Sequence, residues 1–243
     1  MAKKAKKTQN KSAGQAAAKP APGPHGSKKA GEEQMGAYTE AVQSGLYAKQ
    51  SGLVGKYDNV RRYWEDEVTR IFLRPHLNTL LARCRRLMQR LRIIDLGCGS
   101  ADGYERLAGI RQRDADLTQM EVDLLSQDVL GLYMGSDLNE DLLDQGRAIY
   151  GTNPKMTFGQ GDFTQGLPVD AGEKPYDLYF TSFGTFSHHN DDETAIALLA
   201  EIAENVAEYG IVVCDWLGRY SYEWQDLWTN NPEELRNMDY VVS

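Results

Sequence analysis

One glycine-rich segment constrains the fold of this chain more than any other feature. Residues 91–103 read LRIIDLGCGSADG, so that an apolar run ends at Asp95 and the chain turns through Gly97 and Gly99 before a helix near Tyr104. Glycine permits positive φ and lets a ligand approach the backbone closely, and the first N–H groups of a helix point back at such a ligand. Because open α/β sheets bind ligands at the carboxyl ends of their strands, the segment predicts a nucleotide-type site.

The spacing of these glycines excludes two common nucleotide motifs. A dinucleotide fingerprint needs a third glycine where this chain has Asp102, and Gly103 comes one residue too late. No Gly-Lys-Ser/Thr follows, which excludes the P-loop. The remaining pattern, Asp-x-Gly-x-Gly-x-x-x-Gly, resembles the first motif of the class I S-adenosylmethionine-dependent methyltransferases.

The resemblance continues in order along the chain and covers residues 57–216. Segments similar to the second, third, fourth and fifth strands of that family, each with its following turn, occupy residues 132–139, 156–163, 176–189 and 209–216. Helical segments separate them, with helices expected over residues 141–149 and 191–208. We therefore expect an α/β fold, a Rossmann-like doubly wound and mostly parallel sheet with helices on both faces.

The resemblance also implies a role for individual residues. Asp137, which ends the second strand, would accept hydrogen bonds from both ribose hydroxyls, and a Gly-Asp-aromatic turn would hold the adenine. The residues that the resemblance assigns to the cofactor, S-adenosyl-L-methionine, are Asp95, Gly97, Cys98, Gly99, Asp137, Leu138, Asp162, Phe163 and Ser182. Taken singly, acids such as Asp95 and Asp137 also occur as turn and capping residues.

The loop after the fourth strand lies nearest the methyl group in this family. It carries His188, our candidate catalytic base because an imidazole titrates near neutral pH; a structural or adenine-side contact is the alternative. The adjacent His188 and His189 make poor metal geometry, so no metal site is expected. The loop lacks the Pro-Pro-aromatic motif of amide and adenine N-methyltransferases, which favours a small-molecule acceptor.

Two departures from the family pattern stand out. The acids Asp95 and Asp137 are 42 positions apart, about twenty more than a compact unit needs. The surplus, near residues 111–127, predicts an inserted amphipathic helix. Only 27 residues follow Trp216, so the C-terminal hairpin of the sheet is expected to be incomplete, in either a truncated chain or an unusually short variant.

The N-terminal part divides into a tail and a cap. Eight of the 27 basic residues are lysines within residues 1–31, which contain no acid, whereas the remainder holds 19 basic and 35 acidic residues. Residues 1–36 are therefore predicted to be disordered, residues 37–90 to form a helical cap, and residues 91–243 to form the cofactor-binding domain.

In the cap, Pro75 is predicted to separate two helices, the second with an apolar face from Leu77 to Leu91 and a solvated arginine face. Tyr57, Arg61 and Arg62 are candidates for the carboxylate end of the cofactor, with a surface role as the alternative.

Composition narrows the kinds of partner and location that we expect for this protein. Three cysteines without a Cys-x-x-Cys pair favour a cytoplasmic protein without zinc, and no apolar run is long enough for a membrane span. The tail lacks arginine and aromatic residues and the body is acidic, so we expect no nucleic-acid partner; the oligomeric state stays open. The sequence thus predicts a methyltransferase enzyme acting on a small molecule. Two alternatives are a non-catalytic module that keeps the fold and an RNA methyltransferase guided by the lysine tail.

Overall fold

A computed structural model describes residues 59–113, 121–169, 173–189 and 191–216, with side chains of the first helix described from Asp66 onward. The elements in chain order are α1 (Asn59–Arg86), β1 (Leu91–Leu96), α2 (Asp102–Ala108), β2 (Arg111–Arg113), β3 (Glu121–Asp123), β4 (Leu130–Asp137), α3 (Glu140–Tyr150), β5 (Met156–Gln160), a 3-10 helix (Phe163–Gln165), β6 (Tyr176–Phe180), a second 3-10 helix (Thr185–His188), α4 (Asp192–Asn205) and β7 (Val206–Val213).

Five of the strands form one parallel sheet in the order β5-β4-β1-β6-β7. The chain leaves the central β1 toward β4 and β5, and it then returns to β6 and β7 on the other side of β1. This reversal of strand order opens a crevice at the carboxyl end of β1, where doubly wound sheets bind their ligands. The predicted doubly wound parallel fold is confirmed.

Each face of the sheet carries its own buried cluster. The first cluster joins leucines of α1 and α2 to β1 and β4 side chains such as Ile93 and Tyr133. The second joins Leu198 and Ile202 of α4 to Ile94 and Tyr179 on the opposite face. Because neighbouring strand residues point to opposite faces, β1 contributes to both clusters. Helices on both faces are therefore also confirmed.

The prediction that Pro75 separates two helices is wrong, because α1 runs unbroken through it. Proline removes one intrahelical hydrogen bond. Leu73 and Leu77, on either side of it, are both buried in the same cluster, and this shared packing keeps the two halves in one helix. Thr79 donates its hydroxyl proton to the Pro75 carbonyl at 2.9 Å.

The apolar and basic faces predicted for the second half of α1 each need a correction. Leu77, Leu80, Leu81 and Cys84 are buried as expected, whereas Leu87 and Met88 are exposed because the helix ends at Arg86 and the chain turns back into β1. On the basic face, Arg85, Arg86 and Arg90 are exposed. Arg83 instead forms a largely buried ion pair with Asp177 of β6.

The insertion and the fifth strand also differ from expectation. The predicted amphipathic helix near residues 111–127 is wrong at both of its ends, where β2 and β3 pair as an antiparallel ribbon, while residues 114–120 lie outside the described residues. β7 begins at Val206, earlier than the predicted residue 209, because α4 ends at Asn205 and Val206 already pairs with Tyr176. Four residues, 207–210, then bulge opposite the single residue Asp177.

Several predictions fall on residues that the structure does not describe. They are the tail at 1–36, the part of the cap before residue 59 including Tyr57, the side chains of Arg61 and Arg62, and the C-terminal segment after Trp216. Within the described ranges, no helix is both long and apolar enough to cross a bilayer.

Candidate functional site

The glycine-rich turn (residues 97–103) connects β1 to α2 and lies against the end of β4. Gly97 and Gly99 have φ of 71° and 55°, a region that L side chains enter at a cost of roughly 1–2 kcal/mol. The backbone N–H groups of Gly97 and Cys98 both donate to the Ser136 carbonyl, at 2.8 and 3.0 Å. The two glycines thus let the backbone fold tightly over the neighbouring strand.

Asp137 at the end of β4 closes this arrangement. One carboxylate oxygen accepts from the Gly99 N–H at 2.8 Å and the other from the Asn139 N–H at 2.9 Å. The side chain is 4% exposed, so its orientation is set by the backbone on both sides. The turn therefore uses the Gly99 N–H to hold the carboxylate and the N–H groups of Gly97 and Cys98 to hold Ser136, whereas the sequence interpretation directed the amides at a ligand.

Gly97 also makes the closest approach between the turn and the loop after β6. A Cβ built on Gly97 would lie 2.2 Å from Cγ2 of Thr185, which is far inside van der Waals contact. The Thr185 hydroxyl donates to the Ser182 carbonyl at 2.5 Å, which fixes the rotamer of this side chain. We call residues 181–189 the β6 loop; it rests directly on the glycine-rich turn.

Asp95 lies beneath the turn with no solvent exposure. The Tyr133 hydroxyl donates to the Oδ2 of Asp95 at 2.6 Å, whereas the buried Oδ1 has no hydrogen-bond partner in the part of the chain that the structure describes. A Cβ on Gly103 of α2 would lie 2.2 Å from Oδ2, so glycine at this position makes room for the carboxyl group. An unsatisfied buried polar atom is uncommon in a folded protein, and an oxygen without a donor makes the ionised form of Asp95 more costly to hold.

Burial raises the pKa of Asp95 to about 8, because the ionised form loses its hydration. The hydrogen bond from Tyr133 opposes this shift, and the nearby carboxyls of Asp102 and Asp137 add to it. Arg106 is the nearby cation that counteracts them. The three acids lie together at the turn, and with a pKa of about 8 Asp95 stays largely protonated and uncharged at neutral pH.

The raised pKa of Asp95 predicts a pH dependence of stability. The unfolded carboxyl titrates near 3.9, so between about pH 4 and pH 8 the unfolded chain releases this proton while the folded protein keeps it. The contribution of Asp95 to stability is thus complete below pH 4 and is lost as the pH rises through about 8, by at most about 1.4 kcal/mol per unit.

Asp95→Asn removes that titration and keeps a carbonyl acceptor for Tyr133. Urea unfolding at pH 5 and pH 8 should therefore show the variant gaining stability relative to the parent protein as the pH rises. A parent-to-variant difference that is equal at the two pH values would contradict a raised pKa.

The predicted adenine edge is held in place by local hydrogen bonds. Asp162 accepts from the Thr164 N–H at 3.0 Å and from its hydroxyl at 2.6 Å, and so caps the 3-10 helix that begins at Phe163. The Leu138 carbonyl accepts from the Gln160 side chain at 3.0 Å. Asp162 and Leu138 lie at the ends of the adjacent strands β5 and β4, so the structure brings them to the same sheet edge as Asp137.

The two histidines of the β6 loop occupy different surroundings. His188 is exposed; the surrounding protein nevertheless lowers its pKa by partial desolvation, and the charge of Asp137 opposes that shift. His189 packs between Phe163 and Phe186, with ring centroids 5.5 and 4.8 Å away, and neither of its nitrogens has a hydrogen-bond partner among the described residues. A lowered pKa keeps His188 neutral at pH 7, the form that accepts a proton. Ser182, predicted at the cofactor, is 2% exposed, and its carbonyl accepts from the Thr185 hydroxyl within the same loop.

Sequence reasoning missed an arginine beside this loop. Arg106 of α2 is 3% exposed and donates to Asp66 of α1 at 3.0 Å. Its guanidinium carbon lies 3.7 Å from the ring centroid of Phe183, and its NH1 atom lies 3.7 Å from Asp215, after β7. In the sequence Arg106 is one basic residue of a short helical segment, and nothing in the local pattern marks it as buried.

The cysteines are packing residues, as predicted for Cys98 and Cys214. Burial raises the pKa of the Cys98 thiol well above its usual range, that of Cys84 above its ordinary value, and that of Cys214 to about 11. Because the thiolate is the reactive form, iodoacetamide at pH 8 should label these three thiols far more slowly in the folded protein than in urea. Peptide mass spectrometry measures this, and labelling of Cys98 at the same rate in both states would contradict it.

Comparisons with known proteins add structural neighbours. No protein-family model and no curated protein matches the chain. DhpI, solved as a complex with SAM and HEP, is 13% identical, with a TM-score of 0.46 over 83% of this chain and 72% of its own. CalS10, an amino pentose methyltransferase from Micromonospora echinaspora solved with SAM bound, is 13% identical, with a TM-score of 0.43 over 72% of this chain and 62% of its own.

The CcbJ methyltransferase of Streptomyces caelestis is 19% identical, with a TM-score of 0.43 over 69% of this chain and 52% of its own. The match thus spans only 62% of CalS10 and about half of CcbJ. The structural neighbours include S-adenosylmethionine-dependent methyltransferases, the class whose motifs the sequence resembles. At such identities the likeness concerns the fold, so the function is argued below from the residues of this chain.

Proposed function

We propose that this protein binds S-adenosylmethionine at the glycine-rich turn and transfers its methyl group to a small-molecule acceptor. One observation carries the proposal. The turn after β1 is held against a buried carboxylate at the end of β4, through the 2.8 Å bond from the Gly99 N–H to Asp137. Both parts lie at the point where the strand order reverses, which is where a doubly wound sheet takes a nucleoside.

The residues of the site fit this cofactor in charge and in hydrogen bonding. S-adenosylmethionine carries a sulfonium and an ammonium, and the site offers the carboxyls of Asp102 and Asp137. Asp95 itself has no solvent exposure, so we propose that it supports the turn from beneath. Asp137 presents an oriented carboxylate with further lone pairs for ribose hydroxyls. The adenine side is bordered by Leu138, Asp162 and Phe163. The remaining proposed cofactor contacts are Gly97, Cys98 and Gly99 of the turn and Ser182 of the β6 loop.

When bound, the cofactor supplies an activated methyl group on a good leaving group. The work of the protein is therefore to position the acceptor in line with it and to exclude water. His188, neutral and exposed on the β6 loop within electrostatic range of Asp137, accepts the proton that an amine or hydroxyl acceptor releases. The resulting imidazolium is stabilised by the negative charge of Asp137.

Calorimetric titration of the full chain with S-adenosylmethionine and S-adenosylhomocysteine tests the binding step. We expect one molecule of either compound to bind per chain. A panel of small-molecule amines and alcohols, scored by release of S-adenosylhomocysteine, then tests transfer. Failure to bind either compound would refute the proposal, and binding without transfer to any acceptor would favour the non-catalytic module.

A histidine pair separates catalysis from binding once an acceptor is found. His188→Ala should lower the transfer rate at least about tenfold, while the affinity for S-adenosylhomocysteine stays within about threefold. His76→Ala on α1, where the ring contacts Phe72, is the matched control and should leave both quantities unchanged. Equal transfer rates in the two variants would remove His188 as the base.

A further inference from the structure

The β6 loop begins with backbone conformations that are costly to hold. Phe183 has φ of 60° and Gly184 has φ of 71°, so two consecutive residues lie in the left-handed region. Glycine adopts this region freely, whereas an aromatic residue does so only where its surroundings compensate. Some contact outside the loop must therefore hold Phe183 in place.

Arg106 supplies that contact. Its guanidinium carbon lies 3.7 Å from the centroid of the Phe183 ring, within cation–π range. Burial of the arginine to 3% exposure strengthens such an interaction, because little water competes for the charge. The guanidinium is itself anchored, since its Nε donates to Asp66 of α1 at 3.0 Å.

Asp215 connects the arginine to the next residue of the loop. Its Oδ2 lies 3.7 Å from Arg106, and its Oδ1 accepts from the Gly184 N–H at 2.7 Å. The side chain of residue 183 and the backbone of residue 184 are thus both tied to one guanidinium. The 3-10 helix that follows places Thr185 against Gly97, at the proposed cofactor site.

We propose that Arg106 is a positioning residue, whose guanidinium fixes the β6 loop through Phe183 and Asp215 and so sets the acceptor side of the site. The inference has two consequences. The first concerns the loop alone: without the guanidinium, Phe183 leaves the left-handed region and the loop opens. The second, which rests on the proposed function, is that the space beside the transferred methyl group changes shape.

Hydrogen exchange measures the first consequence in the free protein. Arg106→Met should raise the exchange rate of the Ser187 amide, which donates to the Gly184 carbonyl at 2.9 Å, at least about tenfold. Peptides from α3 should keep their parent rates. Arg111→Met, which removes an exposed arginine on β2, is the matched control and should change neither region. Unchanged exchange in the loop, or equal acceleration in loop and α3, would overturn the proposal.

Two further variants separate positioning from a general structural role. Arg106→Lys keeps a positive charge for Asp66 but lacks the flat group over the ring, so it should restore overall stability and only part of the loop protection. Full restoration of loop protection by lysine would overturn the role of the flat guanidinium over the Phe183 ring. Phe183→Leu removes the ring and leaves the contact between Arg106 and Asp215; it should accelerate loop exchange less than Arg106→Met does, and the double variant should exchange no faster than Arg106→Met alone. If Arg106→Met fails to fold, the leucine variant still decides the question.

Ligand affinity measures the second consequence. Loss of overall stability would weaken the binding of S-adenosylmethionine and of S-adenosylhomocysteine equally. A displaced β6 loop should instead change the ratio of their two dissociation constants, at least about fivefold in Arg106→Met. An unchanged ratio would mean that Arg106 does not shape the methyl side. If the parent protein binds neither compound, the proposed function fails, while the exchange comparison still decides the role of Arg106 in the loop.

Discussion

Replacing Gly97 with alanine is expected to abolish measurable binding of S-adenosylhomocysteine, a loss of more than about a thousandfold in affinity. Two costs combine. The residue would have to hold φ of 71°, at roughly 1–2 kcal/mol for a residue with a Cβ. Its Cβ would also lie 2.2 Å from Cγ2 of Thr185, so either the turn or the β6 loop must move.

Little in the surroundings can absorb this displacement. Thr185 is 9% exposed and its hydroxyl is bonded to the Ser182 carbonyl, while the N–H groups on the other side are bonded to Ser136. Overpacking at such a site costs about 1–3 kcal/mol. The turn that moves away also carries the Gly99 N–H away from Asp137, so the binding geometry is lost together with stability.

Two variants test whether the clash between the new Cβ and Thr185 causes the loss of binding. Gly159→Ala on β5 is the matched control, because among the described residues its Cβ would meet Met134 alone, at an ordinary contact distance of 3.9 Å; calorimetry should give the parent affinity. Thr185→Ser in the Gly97→Ala background deletes the clashing methyl group and keeps the hydroxyl, so it should recover part of the binding. If Gly97→Ala binds within threefold of the parent protein, the turn is not the cofactor site.

Local patterns predicted the elements that carry the proposed cofactor site. Asp95, Gly97 and Asp137 each follow or end an apolar run, and parallel strands bring their carboxyl ends to one edge of the sheet. The meeting of these residues could therefore be inferred from the runs, whereas the strand order β5-β4-β1-β6-β7 comes from the structure. Near the site, the sequence failed where the decisive contact is remote: nothing near Thr185 indicates that it rests on a glycine of β1's turn.

The same limit explains the errors in the helices. Arg83 looks like one of several arginines on a solvated face, and only the fold brings it to Asp177, 94 residues away. Arg106 looks like an ordinary helical arginine until β6 places Phe183 against it. The insertion lacks alternation of polar and apolar residues long enough to indicate strands, so its ribbon is recognised only from the pairing of Arg111 with Asp123.

Asp137→Asn is expected to weaken S-adenosylhomocysteine binding at least about a hundredfold, although the substitution changes almost no volume. Both carboxylate oxygens accept from backbone N–H groups, those of Gly99 and Asn139. An amide has only one oxygen, so in either orientation its NH₂ group faces one of these N–H donors. A buried donor left without an acceptor costs about 1–3 kcal/mol.

The same substitution weakens ligand binding in two further ways. The ribose loses an acceptor that hydrogen-bonds more strongly when charged, and the site loses the negative charge that attracts a cation. Asp144→Asn on the exposed side of α3, where the carboxylate pairs with Arg147, is the matched control and should bind as the parent protein does. Calorimetry on the two variants, with urea unfolding to confirm that both are folded, compares them directly. Asp137→Asn binding within threefold of Asp144→Asn would show that this carboxylate holds the turn without holding the nucleoside.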